Sequence, residues 1–335
     1  MRYLKLNIAS FLLLFLLLES AFTYAEEYQL GRGYKFSDAL ILGGYFSTEL
    51  AISDEEEEFA IDDLALLLYG DVSPTFSYLL ELESVDFYKA DYKKDTEESN
   101  IAPIIERLYG DFKHSDYINI RFGKQITPVG HWNLQPINVL RETTSNPRLS
   151  RKMFPKFLSG VDIYGFLPID DSIKYHLYFQ ATEDLDSERI NIDVDAHYGL
   201  SLEKQLTDYT GIGGSIGYFE DKQNTETHYV HLNSKWQKDA YKLTAELNYN
   251  NNDPIIGKSE KSQAAYIQGE YRFQPRHSVI SRIEYFHDPI IDLRERIGVV
   301  GYSYRPRYPI SIKLEYQWHA DTNENQVLTS FSVLF

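Results

Sequence analysis

The sequence predicts an all-β fold, a transmembrane antiparallel β-barrel of about 16 strands with a long third outer loop folded into the lumen. Three observations predict it. Past residue 38 apolar and polar residues alternate with a period of two, the pattern of a strand with two different faces. The connections between the alternating stretches are by turns short and long, as in a barrel with tight turns at one rim and longer loops at the other. The only long apolar run lies at the N-terminus, so the chain is not a bundle of membrane helices.

Composition narrows the function classes. The 335 residues carry 33 Lys and Arg against 50 Asp and Glu, a formal charge of -17. That balance argues against a nucleic-acid partner, which calls for a basic footprint. With no cysteine, disulfides, thiolate metal sites and thiol nucleophiles are excluded. An aromatic content of 15% is too high for a disordered acidic chain.

The N-terminus has the layout of a cleavable export signal. Arg2 and Lys5 precede an apolar core from Ile8 to Leu18, and small residues stand at Thr23 and Ala25. Cleavage is expected after Ala25, so that 1–25 is a signal peptide. Residues 26–37 then form a short periplasmic segment, and 38–335 the barrel.

The strands are expected at 40–51, 59–70, 76–89, 104–114, 118–126, 161–167, 173–182, 196–206, 210–219, 227–238, 241–251, 263–274, 278–288, 295–306, 309–320 and 326–335. The stretch 311–319 illustrates the pattern. Ile312, Leu314, Tyr316 and Trp318 share one face, and Lys313, Glu315, Gln317 and His319 the other. An even number of strands puts both chain ends at the periplasmic rim. Alternating strands also build sandwiches and lipocalin-like barrels, but so many strands enclose a lumen too wide for side chains alone to fill. Tyr241, Tyr249, Trp236 and Trp318 lie near strand ends on the apolar face, as aromatic girdles at a lipid–water boundary do.

The polar face supplies candidate lumen residues of both signs. Arg107, Arg121, Lys174, Lys235, Arg272, Arg282 and Lys313 stand against Glu81, Glu83, Glu203, Glu246, Glu270, Glu284 and Glu315. Turned toward lipid at mid-membrane, an Arg or Lys would cost about 2–4 kcal/mol, so the register is strongly specified. Gly213, Ser215 and Gly217 would place small groups inward, either to make room for a folded loop or to let the strand twist tightly.

One connection differs from the rest. Residues 127–160 hold Arg141, Arg148, Arg151, Lys152 and Lys156 against Glu142, a net +4 in an acidic chain. A connection this long is usually functional. A basic ring at a constriction favours anions, so these five residues are the candidate pore constriction. An exposed loop whose cations meet lipopolysaccharide phosphates is the alternative.

Around this loop the chain resembles a known family. Arg121-Phe122-Gly123-Lys124, Thr127-Pro128, Gly130 and Trp132-Asn133 are similar to a pattern in Gram-negative outer-membrane porins of the phosphate-selective porin-like superfamily. Asp63–Glu83 resembles the second hairpin of such porins, and Gly43–Phe46 their first strand. The resemblance covers about residues 38–165 by motif and the remainder by strand rhythm. It implies a channel, a homotrimer, and a third outer loop that narrows the pore with basic residues. The terminal Phe335, with Val327, Thr329, Phe331 and Val333 on its face, resembles the signal read by the barrel-assembly machinery.

Other functions find little support. The outer loops hold acidic runs at Asp54–Glu58 and at Glu183, Asp184, Asp186, Glu188, Asp193 and Asp195. Such runs could bridge Ca²⁺ or Mg²⁺ to lipopolysaccharide, but a charge run alone is more simply a solvated surface. No spacing gives a metal site, a cofactor site or a catalytic constellation. The sequence therefore predicts a passive diffusion channel for small hydrophilic solutes, preferring anions, in the outer membrane of a Gram-negative bacterium. The alternative is a closed or plugged barrel that binds at the surface or serves a structural role.

Overall fold

The computed structural model describes residues 27–185, 191–322 and 324–335. The expected signal peptide, residues 1–25, lies outside them, as do Asp186 and Glu188. A hairpin of β1 (Glu27–Gln29) and β2 (Gly33–Ser37) leads into β3 (Leu40–Ser53), β4 (Glu57–Ser73) and β5 (Phe76–Asp91). A short β6 (Thr96–Ser99) precedes β7 (Ile104–Lys113), β8 (Asn119–Ile126), β9 (Phe157–Leu167) and β10 (Asp170–Gln180). The rest is β11 (Val194–Thr207), β12 (Thr210–Asp221), β13 (Glu226–Lys238), β14 (Tyr241–Asp253) and β15 (Glu260–Gln274), then β16 (His277–Asp288), β17 (Leu293–Arg307), β18 (Ile310–His319) and β19 (Gln326–Leu334).

Each consecutive pair among β3–β5 and β7–β19 is antiparallel, and β19 returns to pair with β3, from Gln326 opposite Ser53 to Leu334 opposite Tyr45. The result is a closed barrel of sixteen strands, with β1, β2 and β6 as additions. Every expected strand is present. Three details differ from the sequence reading. The described part of the expected N-terminal segment, 27–37, holds a hairpin laid on the start of β3, with Tyr34 opposite Leu42. The outer loop after β5 contains β6, which extends the pairing of β5 with Tyr88 opposite Ser99. β9 starts at Phe157, so the long connection is 127–156.

The faces are inverted relative to a water-soluble protein. On β18 the covered residues are Ser311, Lys313, Glu315, Gln317 and His319, while Ile312, Leu314, Tyr316 and Trp318 are exposed. On β13, Thr227, Tyr229, His231 and Asn233 are covered, and Val230, Leu232 and Trp236 are exposed. A polar inside and an apolar outside fit a wall that meets lipid. No helix among the described residues is long and apolar enough to cross a membrane.

Bulges break the alternation on three adjacent strands. Thr48 pairs with Ile61 and Ser47 with Asp63, leaving Asp62 as the extra residue of β4. On β5 the pairing steps from Tyr88 to Val85, and Asp86 there takes φ 53°. On β7 it steps from Arg107 to Ile105, leaving Glu106 extra. A bulge re-aims a side chain that strict alternation would send to the other face, and here each bulge carries a carboxylate.

The seam of the barrel, the ladder between β19 and β3, is extended by Phe335. Gly44 and Phe335 exchange two backbone hydrogen bonds, both 2.8 Å. A side chain on Gly44 would start 2.5 Å from the Ala65 carbonyl and 2.9 Å from the Phe335 ring. Gly44→Val is therefore expected to lower the temperature at which the compact, SDS-resistant form is lost on gels. An unchanged transition would show that the seam tolerates a side chain there.

Candidate functional site: the covered polar face and the segment 127–156

The residues facing the lumen do not form a bare wall. From β14 to β19 their polar groups bind the segment 127–156, mostly through its backbone. Glu246 on β14 accepts the amides of His131 at 3.0 Å and Trp132 at 2.8 Å, and also the Tyr266 hydroxyl at 2.5 Å. Glu315 on β18 accepts the amides of Thr144 at 2.9 Å and Ser145 at 3.1 Å. Glu284 on β16 accepts the amide of Arg148 at 2.8 Å. The cations act on the carbonyls and hydroxyls. Lys313 donates to both oxygens of Asn138 at 2.6 Å and to the Thr143 carbonyl at 3.2 Å. Arg282 donates to the Thr143 and Ser145 hydroxyls at 2.7 Å and to Glu284 at 2.7 Å, and lies over the Trp132 ring. Arg305 reaches the Arg141 carbonyl at 2.6 Å.

Two apolar clusters complete the anchorage. Val129, Leu149, Met153, Phe154 and Leu158 pack on Tyr178, Val194, Phe219, Tyr229, Ala264 and Phe286. Ile137 and Val139 pack on Tyr45, Ala65 and Leu67. Phe219, Phe286 and Leu67 are thus apolar residues on a wet face, held in clusters that include residues of the segment. Gly130 stands at φ 71°, where a side chain would begin 2.3 Å from a Glu246 oxygen. Only glycine fits both that backbone and that distance.

The candidate constriction cations do not form a bare ring. Arg141 is half-buried and donates to the Gln135 carbonyl at 2.7 Å and to the Pro136 carbonyl, within its own segment. Arg148 pairs with Glu295 at 2.8 Å, and Lys156 with Glu106 at 3.3 Å. Arg151 and Lys152 are exposed at a single helical turn, α1 (Leu149–Lys152). Burial works against the charged form of Glu142, but Lys242 beside it more than offsets this, so that carboxyl lies below its ordinary range.

A cavity of about 410 Å³ lies between this segment and the strands β3–β7. On one side are Glu49, Asp62, Asp63, Glu83, Asp86 and Glu106, three of them placed by the bulges. On the other are Arg141, Arg148, Arg151 and Lys156. Over the whole lining, nine carboxylates face six cations. Sequence reasoning missed this acidic wall. The available signal was the break of alternation at Asp62-Asp63, where two acids in a row cannot both point inward on a regular strand.

Toward the other rim two further cavities lie below the segment. One, of about 220 Å³, brings together Arg107, Arg121 and Lys174 from the expected lumen residues, with Asp162 and His176. The other, of about 500 Å³, includes Lys174, Lys204, Lys235 and Glu203. Arg272 is not part of either; it lies half-exposed, 3.7 Å from Glu270. Arg282 and Lys313 are spent on the segment, as described. Of the small residues on β12, Ser215 binds Ser201 at 2.7 Å, and Ser201 donates to the Pro128 carbonyl at 2.5 Å. The space at Gly213 and Gly217 is taken by Asn233 and Tyr229 instead.

Solved structures with the same architecture are bacterial outer-membrane proteins. The chain has the porin fold. It is similar to an anion-selective porin from Comamonas acidovorans, with a TM-score of 0.66 at 11% identity, over 89% of this chain and 99% of that one. OmpF of Salmonella typhi gives a TM-score of 0.67 at 11% identity, over 88% and 97%. OmpT, an outer membrane protein of Vibrio cholerae, gives 0.64 at 12% identity, over 89% and 99%. No protein-family model matches the chain, and no curated protein matches its sequence. At such identities the likeness establishes the fold.

The carboxylates that hold the segment can be tested one at a time. Glu246→Ala is expected to speed hydrogen exchange at the amides of His131 and Trp132 by tenfold or more, and Glu315→Ala at Thr144 and Ser145. Each leaves the other pair protected. Exchange unchanged in both variants would show that these bonds do not hold the segment.

Proposed function

We propose that the protein is an outer-membrane porin, a passive diffusion channel for small hydrophilic solutes and not an enzyme. The observation that carries this reading is a wide, polar-walled barrel with water-sized space on both sides of one anchored segment. In this reading the segment 127–156 is the third outer loop and narrows the lumen, and solutes pass between it and the β3–β7 wall. Export uses the N-terminal signal, cleaved after Ala25, into the outer membrane of a Gram-negative bacterium. The protomers form a homotrimer, as one similar barrel, the trimer form of OmpT, does. Phe335 is read by the barrel-assembly machinery, and lipopolysaccharide surrounds the outer rim.

Charge argues for weak ion selectivity at the constriction. Loop cations favour anions there, but the acidic wall lies across the same cavity and carries more formal charge. Distant outer loops matter less, because salt screens beyond about 8 Å. A second reading, a closed barrel, draws support from the apolar clusters that fix the segment in place.

Planar-bilayer recordings distinguish the two: stable open steps support the channel, and a silent, folded barrel the alternative. Liposome swelling with neutral sugars then gives the size limit. Within a conducting protein, replacing Arg148, Arg151 and Lys152 by Ala should move the zero-current potential toward cations. Asp62→Asn with Asp63→Asn and Asp86→Asn should move it toward anions by a comparable amount, both more at low salt. Absence of both shifts would place the narrowest point elsewhere. Deleting Phe335 should also lower outer-membrane levels of the protein severalfold; unchanged levels would refute its role in assembly.

A further inference from the structure

The cavity of about 220 Å³ between β7–β10 and the start of the segment has a composition unlike the outer one. Arg107, Arg121, Lys174 and His176 line it, and Asp162 is the one carboxylate among its lining residues. Arg121 is held flat. Its guanidinium lies 4.6 Å from the Tyr109 ring and 5.4 Å from the Tyr164 ring, and donates to Asp111 at 2.7 Å. Among the described residues Arg107 pairs with Glu81 through its Nε. Lys174 enters no ion pair among the described residues.

Two groups in this cavity lack hydrogen-bond partners. Asp162 is 1% exposed. Its Oδ2 lies 2.8 Å from His176 Nδ1, and the other oxygen, Oδ1, has no partner. The Nε of Arg121, directly across the β8–β9 ladder, has none either. A buried polar group left without a partner costs about 1–3 kcal/mol. Such a pair therefore favours any ligand that satisfies both. It must offer an acceptor of negative charge to Arg121 and Lys174, and a donor to Asp162.

We propose that this cavity is a subsite for small anions that also carry a hydroxyl group. The anionic end lies between Lys174 and the free edges of Arg107 and Arg121. The hydroxyl donates to Asp162 Oδ1. Tyr109 and Tyr164 keep the Arg121 plane fixed, so the acceptor position is preorganised. A simple anion would satisfy the cations and leave Asp162 unpaired. A neutral polyol would satisfy Asp162 and leave the cations unpaired. The subsite lies on the passage of the channel reading and rests on it for its physiological meaning, but binding itself does not require conduction.

The test compares lactate with propionate, which differ by one hydroxyl. Saturation-transfer NMR on the folded protein in detergent micelles measures binding without conduction. Lactate is expected to bind about fivefold tighter than propionate, the return of one net hydrogen bond. Lys174→Gln should weaken both about equally, by fivefold or more. Asp162→Asn, which leaves a weaker acceptor and removes a negative charge from the cavity, should shrink the lactate–propionate difference while tightening propionate binding. In bilayers, lactate should then reduce chloride conductance at concentrations where propionate does not. Equal binding of the two anions to the unaltered protein overturns the proposal, and so does binding unaffected by Lys174→Gln. A silent bilayer with hydroxyl-selective binding intact would overturn the channel reading alone. Should Asp162→Asn fail to fold, the lactate–propionate difference and Lys174→Gln still decide.

Discussion

Inside a bilayer no water is available to a backbone amide or carbonyl, so every one of them must be paired within the protein. A sheet meets that demand only when it has no edge. The pairing of β19 with β3 is therefore the contact on which the rest depends. Once the sheet is closed, one face meets lipid and the other encloses space, and the two-residue period turns into an apolar outside and a polar inside. The last residue of the chain takes part directly, because Phe335 finishes the ladder against Gly44. Its ring covers a position where no side chain fits.

Closure creates a second demand. A sixteen-stranded wall surrounds more volume than its own side chains fill, and its inward charges must find partners or water. Here much of that demand is met by main chain. Glu246, Glu284 and Glu315 accept backbone amides of 127–156, and Lys313 and Arg305 donate to its carbonyls. A charged group bound to a peptide dipole gains a strong hydrogen bond and leaves the net charge of the lumen unchanged. Wall charge thus serves two ends. Residues bound to the segment fix its path, and those left on β3–β7 face the open cavity.

The division between what the sequence discloses and what it hides follows from the same physics. The alternation at 311–319 and the short turns are local, so strand number and order are legible. The acidic wall is not local. Asp62, Asp86 and Glu106 reach one cavity only because three neighbouring ladders each slip by a residue or two, and a slip is a property of pairs of strands. The helical turn at 149–152 and the start of β9 at Phe157 were also hidden. Their apolar residues, Leu149, Met153, Phe154 and Leu158, look like a continuation of a strand until the facing Tyr229 and Phe286 are known. The cations at Arg141, Arg148 and Lys156 are visible in the sequence as a basic loop. Their partners at the Gln135 carbonyl, Glu295 and Glu106 are not, and these reduce the field the loop can project.

In the channel reading, ion preference is decided by which charges remain uncommitted, rather than by the sum over the chain. The formal charge of -17 is a sum over the whole chain. In the outer cavity Arg148 and Lys156 are tied to carboxylates and Arg141 to carbonyls of its own segment, while Glu49, Asp62 and Asp63 line the facing wall. In the 220 Å³ cavity the balance reverses, with cations around a single lining carboxylate. A low-dielectric wall focuses each of these fields over its own short length, and salt confines them there. A solute crossing the barrel would meet first a carboxylate-rich surface and then a cation-rich one. Selectivity for one sign at the outer cavity does not carry over to the inner one, because the anchored segment separates the two and its backbone, already hydrogen-bonded to the wall, adds charge to neither.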